Sequence, residues 1–172
     1  MKKAELTVAE ALKFARHDFL NELQLVLMYI DLGEVTQAKQ AIQNATEEIR
    51  QLSKLENLGL PSTVRWISTF GWMYTAFDTK LSCTIETGFR KADDLEVANY
   101  LISLFTEIVG QLDAMSEYEA HINVHASPSD WTIDIIISGG LDRKQQLPET
   151  GKHFLVEETV LNKLWKFKMS GN

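Results

Sequence analysis

The residues best placed to do chemistry lie in one short stretch, Ala15-Arg16-His17-Asp18-Phe19-Leu20-Asn21-Glu22-Leu23-Gln24-Leu25. An imidazole is a neutral nucleophile near pH 7 and can carry a phosphoryl group on nitrogen. The stretch reads as amphipathic helix, because Phe19, Leu23, Val26 and Ile30 recur at spacings of four and three, with Leu12 one heptad before Phe19. At roughly 100° per residue, His17 falls about 160° from Phe19, on the opposite face. Asn21 and Gln24 share that outer face, and Asp18 directly follows the histidine. His17 is therefore expected to face solvent or a partner. Taken alone, it reads first as an ordinary surface histidine.

Presenting a ring in this way requires a stiff element and something to hold it. From Ala4 to Leu32 the chain carries one continuous helical pattern, closed by Gly33, which suits the left-handed position after a helix end. Val35, Ala38, Ile42, Ala45, Ile49 and Leu52 then form a second heptad seam, running up to the break at Pro61. Two long helices joined by so short a turn lie antiparallel. Leu20, Leu25 and Leu27 widen the apolar face beyond what one neighbouring helix could hide. A second copy would complete a dimeric four-helix bundle; the alternative is that the C-terminal half packs over the hairpin. With the turn at Gly33, His17 lies level with about Ile49. Arg50 and Lys54 are then within reach of the same region, and Lys13 and Arg16 precede it. For these four basic residues a plain solvated helix face is the competing reading.

Pro61-Ser62 marks a boundary, giving a hairpin over residues 1–60 and a second domain over 61–172. Trp66, Phe70, Met73 and Phe77 predict a helix from Thr63 to Asp78, and Lys80–Thr87 reads as a strand. Asp94–Ser116 is helical through Val97, Leu101, Leu104, Ile108 and Leu112. Ala120–Ala126 alternates, with Ile122 and Val124 on one face and His121, Asn123 and His125 on the other. Trp131–Ile137 is a further strand, and Phe154–Glu158 with Leu164–Met169 forms a closing hairpin. The expected fold class is α+β, a small α/β sandwich layer following an all-α hairpin.

The pattern Arg16-His17-Asp18-Phe19-x-Asn21-x-Leu23-Gln24-Leu25, followed by Leu52-Ser53-Lys54-Leu55-x-Asn57-Leu58, resembles the sporulation initiation phosphotransferase B family. More distantly it resembles the phosphoaccepting hairpin of citrate- and fumarate-type sensor histidine kinases. The similarity covers residues 10–60; beyond them only the order of elements matches. The resemblance implies a phosphorelay histidine phosphotransferase that moves a phosphoryl group between the aspartates of two response-regulator receiver domains. His17 would be the nucleophile and carrier, Asp18 the orienting or proton-accepting group, and Asn21 a hydrogen-bonding group near the transferred phosphoryl. Lys13, Arg16, Gln24, Arg50 and Lys54 would meet the phosphoryl group or the partner. No bound cofactor is implied, because the receiver brings the Mg²⁺.

The same comparison raises a kinase alternative, which the glycines weaken. A kinase ATP layer needs an asparagine-bearing helix, an Asp-x-Gly-x-Gly turn after a strand, and a Gly-rich lid. Here Phe105–Asp113 offers Gln111 and no asparagine, and the turn after Trp131–Ile137 reads Ser138-Gly139-Gly140. After Gly140 only Gly151 and Gly171 remain, so backbone groups to cradle phosphates are not provided for. The expected second domain is thus a degenerate histidine-kinase ATPase layer. A dimer that binds response regulators without carrying phosphate is the remaining alternative.

Composition narrows the field further. The 172 residues suffice for one ordinary domain or a hairpin plus a compact domain. A net charge of −7 gives nucleic-acid binding little electrostatic support. No apolar run approaches a membrane span, and Met1-Lys2-Lys3-Ala4-Glu5 leads into a helix rather than a signal-peptide core, so a cytoplasmic protein is expected. The single cysteine, Cys83, lies in a strand-like run and reads as a buried structural thiol in a reducing compartment. His121 and His125, four apart on a strand, lie over about ten Å apart and cannot converge on a metal. His153 has nothing around it to suggest chemistry, and no metal site is expected.

Overall fold

The computed structural model describes residues 6–140, 148, 151–161 and 164–172. The chain divides into two compact units, Met1–Ser53 and Lys54–Asn172. The first is the hairpin of α1 (Val8–Asp31) and α2 (Val35–Leu55), the last residues of α2 belonging to the second unit. Helix α1 starts at Val8 rather than at Ala4, which lies outside the described residues. Thr7 sets the start: its hydroxyl accepts from the Glu10 amide, and the Glu10 carboxylate accepts from the Thr7 amide at 2.8 Å, a reciprocal capping box. At the other end Gly33 takes φ +75°, and the Glu34 amide donates back to the Tyr29 carbonyl. These bonds satisfy carbonyls that the helix end leaves open, and they reverse the chain.

Within the hairpin, Ala38 and Ala41 of α2 are buried. The larger seam residues are not. Leu12, Phe19, Leu20, Leu23, Leu27 and Ile30 of α1, and Val35, Ile42 and Ile49 of α2, stay exposed. On helical geometry these residues share one side of each helix, so the hairpin presents an apolar face that a monomeric soluble protein rarely leaves open.

The second unit adds a short 3₁₀ turn (Glu56–Leu58), α3 (Pro61–Met73), β1 (Phe77–Ile85), α4 (Asp94–Val109), β2 (Tyr118–Ala126), β3 (Trp131–Ser138), β4 (Phe154–Leu161) and β5 (Leu164–Gly171). The strands form one mixed sheet in the order β1-β2-β3-β5-β4, with β1 parallel to β2 and the other pairs antiparallel. The architecture is α+β. The core collects the inward residues of the sheet, such as Ile122, Val124, Ile133 and Ile135, together with Trp66, Phe70, Leu101 and Phe105 from the helices. The opposite sheet face is wet, with His125 exposed and His121 beside Glu119 at 3.3 Å, as the alternation of types requires.

Three element ends differ from the sequence pattern. Phe77 has helical spacing with Phe70 and Met73, yet it opens β1. Helix α3 closes where the Tyr74 amide bonds the Phe70 carbonyl, and a bond from the Phe77 amide to the Tyr74 carbonyl turns the chain into the strand. Phe77 still joins the same aromatic cluster, 5.8 Å from Phe70 and 5.9 Å from Phe105 between ring centroids. Helix α4 stops at Val109 before Gly110, so Gln111 lies beyond it, and Tyr118 Oη accepts from the Asp113 amide in the following loop. The last turn of α2 and the 3₁₀ turn are core: Leu55, Leu58 and Leu60 are fully buried, all ahead of α3.

Asp94 begins α4 and caps α3. Its carboxylate accepts from the amides of Ser62 at 2.6 Å and Thr63 at 2.9 Å, and from the Thr63 hydroxyl at 2.9 Å. Partial burial pushes the carboxyl pKa up, but these bonds together outweigh it and leave the group below its ordinary value. A depressed carboxylate pKa contributes stability that is present above the unfolded-state value, about 3.9, and lost as pH falls through the folded one. Asp94→Asn should cost about 1 kcal/mol at neutral pH, as loss of a capping carboxylate does, and the gap from wild type should narrow as pH falls below about 4. Urea unfolding at pH 7 and pH 3 checks both. Cys83 is buried, and desolvation pushes its thiol up to about 11 against the opposing pull of the Lys54 charge, which makes it a poor nucleophile.

Candidate active site

His17 sits midway along α1, where a helix without proline or glycine holds its Cβ direction firmly. Its side chain is 71% exposed. Asn21, one turn on, brings its carboxamide to 3.1 Å from His17 Nδ1, and Asp18 Oδ1 lies 3.5 Å from the same nitrogen. The i,i+4 spacing makes the first contact natural, since side chains at that separation share a helix face. Both neighbours address Nδ1; among the described residues none bonds Nε2.

The proton inventory decides what this cluster can do. An ionised carboxylate only accepts, so Asp18 favours the tautomer that carries its proton on Nδ1. A carboxamide serves either tautomer: Asn21 Nδ2–H donates to a bare Nδ1, and Oδ1, after rotation about χ2, accepts from Nδ1–H. With Nδ1 protonated, the lone pair lies on Nε2, which bonds no described residue. The arrangement is that of a ring oriented from one edge and reactive at the other.

Lys13, Arg16 and Gln24 are exposed on α1. Arg50 is exposed and bonded to Glu47 on its own helix, so its charge is already shared with a carboxylate. Lys54 is exposed and belongs to the second unit. The outer groove between α1 and α2 is lined by Glu22, Leu25 and Tyr29 with Ala41, Asn44 and Glu48. The Asn21 carboxamide, expected near the transferred group, lies against the ring nitrogen.

In the second unit, the turn that would receive a nucleotide in a kinase is Ser138-Gly139-Gly140. Gly139 has φ +124°, and a Cβ there would meet the Glu117 carbonyl and a Tyr118 ring carbon, each at 2.5 Å. This glycine thus serves close packing against the start of β2. The adjoining cavity, about 680 Å³, is lined among the described residues by Asp78, Glu117 and Glu119 with neutral residues and by no lysine or arginine. Three carboxylates oppose a polyphosphate. Gln111, near the position of the missing asparagine, spends its amide on the Glu107 carbonyl of α4. Among the described residues no three His, Cys, Asp or Glu side chains gather to hold a metal, and no helix is long and apolar enough to cross a membrane.

The chain thus joins an outward histidine on a helical hairpin to an α+β unit. Residues 1–58 match the model of the sensor kinase SpoOB-type, alpha-helical domain. Among solved structures, the chain is similar to the Acinetobacter baumannii histidine kinase AdeS, with 13% identity over 90% of this chain and 96% of that one, at a TM-score of 0.45. It is also similar to the catalytic domain of histidine kinase ThkA, with 10% identity over 66% of this chain and 94% of that one, TM-score 0.48. A histidine kinase from Burkholderia phymatum STM815 aligns at 11% identity over 96% and 98%, TM-score 0.39. At these TM-scores the likenesses do not by themselves define an activity. No curated protein matches the sequence.

Proposed function

We propose that the chain is a dimeric histidine phosphotransferase, passing a phosphoryl group from the aspartyl phosphate of one response-regulator receiver domain to the aspartate of another. The observation that carries this reading is the exposed His17 side chain, contacted at Nδ1 by Asn21 and Asp18, with no described residue bonded to Nε2. In the first step Nε2 attacks phosphorus, the N–P bond forms, and the O–P bond to the donor aspartate breaks, releasing its carboxylate. The Nδ1 proton stays between His17 and Asp18, whose charge offsets the imidazolium character of the phosphorylated ring. The second step is the reverse, onto a different carboxylate. Little covalent chemistry is asked of the protein; positioning and charge do the rest. Receiver domains would supply the Mg²⁺ and the acidic pocket, and Lys13 and Arg16 add positive charge near the ring. The experiment is incubation with a phosphorylated receiver followed by intact-mass analysis: one acid-labile, base-stable phosphoryl group per chain is the expected gain. An unchanged mass favours a dimer that only binds regulators.

A second reading, a sensor-type kinase, is favoured by the family model that the hairpin matches. The acidic cavity beside the Ser138-Gly139-Gly140 turn argues against it. Calorimetry with Mg-ATP should give no saturable signal in the low micromolar range; a clear isotherm would promote the kinase.

A further inference from the structure

Arg90 is the one buried cationic side chain among the described residues, 6% exposed, and nothing in the transfer chemistry uses it. Its guanidinium donates to three backbone carbonyls on three separate segments. Nε bonds Leu58 O at 3.0 Å, at the end of the 3₁₀ turn; Nη2 bonds Glu86 O at 2.8 Å, just after β1; and Nη1 bonds Ser127 O, just after β2. A buried charge persists only where its donors are fully used, and the fixed fork of a guanidinium can serve three directions at once where an ammonium cannot.

The surroundings are built to the same shape. Gly59 takes φ +78°, and a Cβ there would stand 3.3 Å from the Gly88 carbonyl. A Cβ on Gly88 would lie 2.4 Å from Pro128 O and 2.8 Å from Arg90 Nη1. Leu55, Leu58 and Leu60, which flank the clamped carbonyl, are buried in the core.

We propose that Arg90 is a conformational clamp that makes residues 54–60 a fixed part of the second unit's core, removing the flexible tether that this stretch would otherwise provide. The inference is independent of the role given to His17. Without the guanidinium, the Leu58, Glu86 and Ser127 carbonyls lose their shared donor; the ends of β1 and β2 remain paired through the Glu86 amide and the Ala126 carbonyl, but the 3₁₀ turn loses its hydrogen bond to them. The entering chain then reverts to an exchanging, cleavable linker.

Hydrogen exchange on the full chain tests this directly. In wild type, the amides of residues 55–60 should be protected to the level of β2 and β3, and trypsin should leave the Lys54–Leu55 bond intact although Lys54 is exposed. Arg90→Met and Arg90→Lys should each speed exchange of residues 55–60 by at least about tenfold and open cleavage after Lys54, while β3 amides keep their protection. Wild-type exchange at linker-like rates over 55–60, or unaltered protection there in either folded variant, overturns the proposal. If Arg90→Met does not fold, the wild-type profile and Arg90→Lys still decide it.

Discussion

His17→Gln is expected to take up no phosphoryl group from a phosphorylated receiver, while its oligomeric state and its binding to the receiver are unchanged. The substitution removes the nucleophilic nitrogen but touches neither the capping box at Thr7 nor the apolar face, since the side chain points away from Phe19, Leu23 and Ile30. Intact-mass analysis reads the first quantity and light scattering the second. Asp18→Asn belongs to the same experiment with a graded outcome. An amide can accept from Nδ1–H but does not offset charge, so transfer should slow by about 10²–10⁴-fold, the usual contribution of proton management, rather than vanish. Replacing His121, His125 or His153 should leave transfer intact. Phosphoryl uptake by His17→Gln would show that another residue is the acceptor.

The other large effect lies on the opposite side of α1. Leu23→Asp combined with Ile49→Asp should convert a dimer to a monomer at micromolar concentration. Both residues are exposed in the single chain, so the monomer tolerates the charges. A four-helix seam that buried them would pay several kcal/mol, roughly, for unpaired carboxylates. Light scattering separates the two states. A wild-type protein that is already monomeric at this concentration would contradict the proposed bundle and leave the apolar face to another partner.

Much of this was legible because it depends on short-range pattern. The heptad positions from Leu12 to Ile30, the glycine at 33 and the alternation through Ile122 and Val124 are local consequences of residue type, and the elements follow them. Asn21 was legible as a neighbour of His17, because four residues make one helical turn. What the carboxamide touches was not, since ring nitrogen and incoming phosphoryl group are both within its reach. Phe77 misled because aromatic spacing describes a face and says nothing about where the backbone turns; its place in the cluster was right and its element was not. Asp94 and Arg90 lay beyond reach for a different reason. Most of their partners are some thirty residues away, and a lone aspartate at a helix start or arginine in a loop carries no sign of which distant carbonyl or amide it will meet. Arg90 followed Gly88 and Phe89 without any periodicity to set it apart.

The openness of Nε2 sets a clock. On the proposed mechanism, a phosphoryl group held there has no hydrogen-bond partner among the described residues, so bulk water competes with the acceptor aspartate from the moment the donor leaves. A protein built this way is a conduit rather than a store: what it delivers depends on how often the next receiver arrives before hydrolysis, and hence on the cellular concentration of that receiver as much as on any rate within the chain. Diluting the acceptor should waste phosphate without slowing the first transfer.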